Sequence, residues 1–314
     1  MLATSLPAIL TLPRSEQSAA LRALRCALPP TATPEAWNSR FGPTSLFAAW
    51  TASSLMRGLH RSNAELLRPL LARPGFRVIE IGGGDGALWR DALPPDALPP
   101  DAQGELLLID PVAEVGELVR ASLPEGVSLR FRQARLEEVD PGSLPPADAF
   151  VASLVLHHIA GADRAQRQAH GLSGPGKLEA LQTLAGCLRP GGFGLVNEAD
   201  IHCDIELAPG EPLLEERLID SYVRRCAPSL LQDAARRPDA DADLRARWEA
   251  VCLHWCLEQV DLANAPLADR DVYELDVPRW RALFRRAGLA VQAEQFTDPQ
   301  NLFRQYLLTP SEPR

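Results

Sequence analysis

Between residues 63 and 203 the chain alternates short apolar runs with segments whose apolar positions recur every three to four residues. The runs Arg77–Ile81, Glu105–Asp110, Ser128–Gln133, Ala149–Val155 and "FGLVNEAD" (193–200) predict five strands. They are mostly continuous in apolar character rather than alternating, the pattern of strands buried on both faces. The intervening segments predict helices. "NAELLRPLLARPG" leads into the first strand and another helix starts at Ala87. "VAEVGELVRASL" sets Val112, Val115, Leu118 and Val119 at helical spacing, and "KLEALQTLAGCL" lines up Leu178, Leu181, Leu184 and Leu188 before "RPGG" stops it. Strands alternating with helices at this spacing predict a parallel sheet wound on both faces. The end of the chain differs. Helix Pro278–Ala287 precedes "LAVQAEQF" and "NLFRQYLL", with only "TDPQ" between them, which predicts a hairpin and an antiparallel last strand.

The flanking segments are helical. Residues 1–62 read as helices broken by Pro and Gly, and 204–276 is far longer than a plain crossover needs. That second segment predicts helices such as Leu244–Leu262, in which Trp248, Val251, Cys252 and Trp255 form a core stripe with His254 off it. The expected organisation is a core of 63–203 and 277–314, a helical cap at 1–62, and an inserted helical lid at 204–276. The small repeat "DALPPDALPPDAQG" predicts a solvated proline-rich loop.

Composition narrows the function. The 314 residues are 46% hydrophobic and 23% charged, the balance of an ordinary globular protein. A net charge of −9 disfavours polyanion binding, so no nucleic-acid partner is expected. No apolar run is long enough to span a membrane and the N-terminus makes a poor signal peptide, so a cytoplasmic setting is expected. Six cysteines are scattered without a CxxC pair and are expected to be buried free thiols. Lys177 is the only lysine; the other cations are arginines, in keeping with GC-rich coding of a bacterial kind.

The stretch "VIEIGGGDGALW" (78–89) follows the first strand and opens a helix. Glycines there let the backbone adopt positive φ and approach a ligand, and the next helix points its positive end at it. Gly82, Gly84 and Ala87 satisfy the dinucleotide pattern G-x-G-x-x-G/A, with Asp110 further on. The surroundings point elsewhere. An acidic residue two before the first glycine (Glu80), the run Gly82, Gly83, Gly84, Asp85, Gly86, an acid at the second strand tip (Asp110), "SLVLHHI" after the fourth strand, "LRPGG" before the fifth, and the terminal hairpin occur in order. In this the chain resembles the class I S-adenosylmethionine (SAM) dependent methyltransferases over roughly 63–200 and 277–308.

The resemblance implies a seven-stranded, mostly parallel sheet with helices on both faces and SAM as cofactor, with S-adenosylhomocysteine as product. Amides of Gly82–Gly86 would face the methionyl end, and Glu80 would fix the loop or contact that end. Asp110 would accept both ribose hydroxyls. Pro111 and the loop at Ala134, Arg135 and Leu136 would border the adenine. The family often has an Asp where Arg135 stands; arginine has no acceptor, so backbone groups of Ala134 and Leu136 would read the adenine edge. Ser153 and Leu154, at the fourth strand tip, complete the expected cofactor set.

Ligands of parallel sheets sit beyond the carboxyl ends of the strands. His157 and His158, at the fourth strand end, are therefore candidate general bases, one of which is expected to pack structurally instead. Glu198, Asp200 and His202 alternate after the fifth strand and are candidate substrate contacts; the same pattern with Asp204 and Glu206 also suits a divalent metal or a plain solvated strand exit. No metal is assigned. Tyr222 and Tyr273 are candidates for the pocket wall, and "WNSRFGPTSLFAAW" (37–50) for its other side. The expected function is methyl transfer from SAM to an oxygen or nitrogen of a small-molecule acceptor in a lidded pocket. The alternatives are a peptide or protein methyltransferase, a SAM-binding protein without transfer, and, more remotely, a nicotinamide oxidoreductase. Oligomeric state stays open, a homodimer included.

Overall fold

The computed structural model describes residues 6–27, 46–92, 103–161, 163–171, 174–200, 212–218, 257–270 and 272–311, with isolated positions between 220 and 233. The expectations for the proline-rich repeat, for Trp248 to Trp255, and for His202 and Tyr222 lie outside the described residues, except for the ends of the repeat.

Among the described residues, helices α1 (Leu6–Leu10), α2 (Arg14–Ala27), α3 (Leu46–Thr51) and α4 (Ser54–Leu71) precede the first strand. Ser53 caps α4 by accepting from the Met56 amide. The sheet and its helices then follow: β1 (Phe76–Ile81), α5 (Ala87–Ala92), β2 (Gly104–Asp110), α6 (Ala113–Ser122), β3 (Val127–Gln133), β4 (Ala147–Ser153), α7 (Arg164–His170), α8 (Pro175–Gly186), β5 (Leu188–Ala199). Helix α9 (Pro212–Leu218) and helical residues 257–264 lie between β5 and the next helix, and α10 (Val277–Arg286), β6 (Leu289–Phe296) and β7 (Phe303–Pro310) close the described chain. Helix α10 starts on an N-cap Asp276 that accepts from Arg279 N at 2.8 Å.

The seven strands lie in the order β3-β2-β1-β4-β5-β7-β6. Pairings among β1 to β5 are parallel; β7 runs antiparallel to both β5 and β6. This is the doubly wound, mostly parallel sheet with a terminal antiparallel hairpin that the sequence predicts. Successive strand residues point to opposite faces. On one face Val78, Leu106, Leu108, Val151 and Leu195 meet Leu67 and Leu71 of α4, Trp89 of α5 and Val115 of α6. On the other, Ile79, Ile81, Phe150 and Val196 meet Leu181 and Leu184 of α8 and Trp280 and Phe284 of α10. A third apolar cluster joins Trp50 of α3, Leu55 and Leu59 of α4, Leu214 and Leu218 of α9, Val260, Leu302 and Phe303. It brings the N-terminal helices and the segment between β5 and α10 together beside the ends of β5 and β7.

Three of the boundaries that differ from the pattern have a visible backbone cause. Strand β4 ends at Ser153 rather than Val155, because Leu154 turns to positive φ (53°). "RPGG" follows the end of α8, as expected, but it is not a turn ahead of β5: it is a bulged part of that strand, with the pairing to β4 slipping between Ala147 and Ala149 and Gly191 at φ 78°. Strand β7 begins at Phe303, since Asp298 holds the Gln300, Leu302 and Phe303 amides in the hairpin turn. Of the cysteines described, Cys187 is buried as expected, but Cys26 is exposed on the outside of α2. Among the described residues no helix is long and apolar enough to cross a membrane.

Candidate functional site

The carboxyl ends of β1, β2, β4 and β5 converge, and most of the chemistry singled out in the sequence gathers there. At the end of β1, Gly82, Gly84 and Gly86 take φ of 72°, 55° and 74°, the left-handed region that suits glycine. The turn is tight. A Cβ at Gly82 would stand 2.9 Å from Val155 Cγ2, and one at Gly86 2.5 Å from Ser122 Oγ. At Gly83 a Cβ would meet Leu108 and Val119, so this glycine seats the turn on β2 and α6. Above Gly84 the neighbour is the Phe47 ring of α3, and Thr51 of the same helix donates from Oγ1 to Asp85 Oδ2 at 3.0 Å. Helix α3 thus lies against the loop.

Asp110 ends β2 and is nearly buried. Its Oδ2 accepts from Gly83 N at 3.2 Å and its Oδ1 from Val112 N at 2.8 Å. Burial pushes this carboxyl up to about 6, while the two amides pull the other way. Each oxygen retains a further lone pair beyond its amide contact. Glu80 lies one layer below. Its Oε2 accepts from the Trp89 indole at 2.6 Å, which ties β1 to α5 under the loop. Burial pushes Glu80 up to about 8 despite that bond.

The adenine-side candidates are less committed. Pro111 is exposed and its carbonyl accepts from Gln133 Nε2 at 3.3 Å. Ala134 N–H donates to Asp110 O at 3.2 Å, which removes it from any role as a donor to a ligand. Arg135 is exposed and its amide donates to Glu138 Oε2 at 2.9 Å; Leu136 is buried at the start of a 3₁₀ turn (Leu136–Glu138).

The β4 and β5 ends carry the second half of the site. Leu154, in its unusual backbone conformation, donates from N to Asn197 O at 2.8 Å and redirects the chain into a 3₁₀ turn over Leu156–His158. That turn is pinned by Glu198. Glu198 Oε1 accepts from Leu156 N at 2.8 Å, and Glu198 Oε2 lies 2.7 Å from His157 Nδ1. A carboxylate accepts only, so Nδ1 carries the hydrogen and the lone pair of the neutral ring sits on Nε2. Burial works against protonation of His157, but Glu198, by charge and hydrogen bond, and Glu274, by charge, outweigh it and raise this imidazole above the ordinary value. His158 is exposed, with its ring centroid 4.3 Å from that of His157.

Ser153 sits in a buried polar bracket. Its Oγ accepts from Asn63 Nδ2 at 3.0 Å and from Asn197 Nδ2 at 3.1 Å, while Asn63 Oδ1 accepts from Asn197 Nδ2 at 2.9 Å and Gln305 Nε2 at 2.7 Å. The other candidates stand further out. Asp200 lies past β5, 3.9 Å from the Arg304 guanidinium. Tyr273 is buried; its hydroxyl donates to Leu267 O at 2.7 Å and its amide to His157 O at 2.8 Å. Among the described residues no cluster of three His, Cys, Asp or Glu side chains is arranged to hold a metal ion.

Several residues here carry no sequence signal of their own. Asn63 and His60 read as ordinary helix positions. His60 is buried on α4 with both ring nitrogens lacking a hydrogen-bond partner among the described residues, and burial keeps its proton affinity low. Glu274 and Lys177 read as a loop acid and a helix cation, and only the fold brings them near His157.

No protein-family model matches the chain, and no curated protein matches it. Among solved structures the chain is similar to human N-acetylserotonin methyltransferase in complex with SAM, at 16% identity over 95% of this chain and 66% of that one, with a TM-score of 0.48. It is similar to the mitomycin 7-O-methyltransferase at 16% identity, over 98% of this chain and 75% of that one, with a TM-score of 0.41. The CMeT domain of citrinin polyketide synthase shares 15% identity over 81% of this chain and 53% of that one, with a TM-score of 0.43. The chain spans less than two thirds of the first and third of these, and the likeness to all three is one of architecture.

Proposed function

We propose that this chain transfers a methyl group from SAM to an oxygen or nitrogen of a small molecule, with His157 as general base. The observation that carries the reading is the adjacency, at one end of one sheet, of two things. One is a glycine turn closed by the Asp110 carboxylate; the other is an imidazole held by Glu198 at 2.7 Å. The donor set suits SAM. The positive-φ glycines let a ligand approach the backbone closely; Gly82 and Gly86 give their amides to Ile109 O and Gly83 O within the turn, which leaves the Gly84 amide for a ligand, and Asp110 has lone pairs suited to a ribose diol. Phe47 at Gly84 supplies apolar surface. Bound SAM supplies an electrophilic methyl group on a sulfonium.

The protein's part is positioning and proton removal. Gly82 to Gly86 and Asp110 would fix the donor, and α3 would help exclude water. Glu198 orients the His157 ring so that Nε2 can take the proton of an O–H or N–H acceptor as it attacks. The raised proton affinity of His157 sets the direction of the pH dependence. The base must be neutral, so activity rises with pH, on a limb lying above the ordinary histidine value of about 6.5.

The test is transfer of labelled methyl from SAM to a panel of phenols, alcohols and amines. His157→Gln is expected to lower kcat by roughly 10² to 10⁴-fold, with SAM affinity unchanged. Full activity of that variant across pH would remove His157 as the base. SAM binding with no transfer to any acceptor would reduce the protein to a SAM-binding one.

A further inference from the structure

Lys177 is the single lysine of a chain that otherwise draws its cations from arginine, and it is fully buried. Its position is unfavourable twice over. An ammonium out of water is costly, and this one stands in the first turn of α8, where the helix dipole is positive. Its surroundings show what offsets this.

Lys177 Nζ donates to Ile159 O at 2.6 Å and to Gly171 O at 3.3 Å. Ile159 closes the His157 turn, its amide donating to Leu156 O, and Gly171 ends α7. The ammonium also stands over the Tyr273 ring, 5.6 Å from its centroid, and the Tyr273 amide donates to His157 O. Gly171 makes room for that ring, since a Cβ there would strike it. Lys177 therefore touches Ile159, two residues after His157, on one side and, on the other, Tyr273, the residue bonded to the His157 carbonyl. Arg164 and Asp269 tie the start of α7 at the surface, and Lys177 holds its buried end at Gly171.

The charges converge as well. Burial lowers the Lys177 ammonium to about 7, while Glu198, Glu137 and Glu274 draw it back up. Burial raises Glu274 to about 7, with His157 and Lys177 lowering it and Glu198 raising it. Lys177 also lowers the proton affinity of His157. These groups titrate as a set rather than singly.

We propose that Lys177 is a positioning residue for the His157–Glu198 pair, holding the turn from Leu156 to Ile159 by its backbone and offsetting the charge of Glu198 and Glu274 around the imidazole. A compact ammonium with rotatable donors suits two backbone carbonyls better than a planar guanidinium does, which fits a lysine at this one position. The proposal deepens the reading of His157 as base and rests on it for its meaning in catalysis, but the linkage among these groups is measurable without turnover.

Two measurements on the full chain test it. Protein grown with ¹³Cε-lysine carries one lysine signal. That signal should titrate far below the free-lysine value of about 10.4, and lower still in Glu198→Gln, where a negative partner is gone. A signal at the ordinary lysine value, or one unmoved in that variant, overturns the proposal. In Lys177→Met, loss of a positive charge tightens every proton in the set. The His157 ring titration should then move up by roughly half a unit or more, and the acid limb of kcat should move with it. An unchanged His157 titration in folded Lys177→Met also overturns it. Should that variant fail to fold, the lysine titration decides alone. If His157→Gln keeps full activity, the base assignment falls while both titrations still report on Lys177.

Discussion

Asp110 shows how one side chain can serve both a turn and a ligand. Its two oxygens take the Gly83 and Val112 amides, so it shapes the glycine loop before any cofactor arrives. Asp110→Ala is expected to weaken SAM and S-adenosylhomocysteine by about tenfold or more in calorimetry, from lost hydrogen bonds to a charged group. Unchanged affinity would mean the ribose lies elsewhere. Glu80 poses a different problem. Its carboxyl is pushed up to about 8 from an ordinary 4.5 by burial, so the folded protein retains a proton that the unfolded chain releases. The stability this group contributes is fully present below about pH 4.5 and is lost as pH rises through about 8. Glu80→Gln keeps an acceptor for Trp89 and removes the titration. Denaturant unfolding should find the variant close to wild type at pH 5 and more stable by about 1 kcal/mol or more at pH 8.5. Equal loss of stability in both proteins across that range would show that Glu80 is not the source. The acid at position 80 was legible in the sequence as a mark of the loop, but its bond to Trp89 was not. A helix residue nine positions on gives no sign of reaching back to the strand.

Helix α4 is the element on which the site leans. Asn63 reaches from it to the ends of β4, β5 and β7 at once, through Ser153, Asn197 and Gln305. Asn63→Ala would leave these buried groups short of partners, at a cost of roughly 2–4 kcal/mol in chemical denaturation. A loss under about half a kcal/mol would mean that water or a rearranged amide replaces the bracket. The strands themselves were easy to read: β1 and β2 are apolar runs buried on both faces, the edge strands β3 and β6 mix apolar and polar positions, and all four fall within a residue of their predicted bounds. The boundaries that moved were set by backbone conformation or distant partners. Leu154 at positive φ ends β4 early, the bulge at 189–192 extends β5 backwards, and Asp298 delays β7 by capturing three amides. No hydrophobic pattern encodes those events. The same holds for the chemistry. His157 and His158 are equivalent as adjacent letters; the turn after Leu154 buries the first against Glu198 and exposes the second.

Across the whole molecule, the proposed cofactor cradle draws on β1, β2, β4 and α3, which together reach all three apolar clusters. A ligand bridging elements that separate on unfolding stabilises the fold by its full binding free energy. At a ligand concentration of 100 times Kd, that is about 2.7 kcal/mol. Entropy of unfolding near 2.1 cal/mol/K per residue, taken over 314 residues, converts this to a rise in Tm of roughly 4 °C. Both SAM and S-adenosylhomocysteine should produce it in a thermal melt, since they share the nucleoside and the amino-acid tail that the cradle would hold. NAD should leave Tm unmoved: its pyrophosphate needs several backbone donors, and the Gly82, Gly83 and Gly86 amides of this turn are already given to Ile109 O, Asp110 and Gly83 O. A shift with NAD and none with SAM would overturn the cofactor assignment. A shift with SAM that survives Asp110→Ala undiminished would keep the cofactor but move its sugar away from β2.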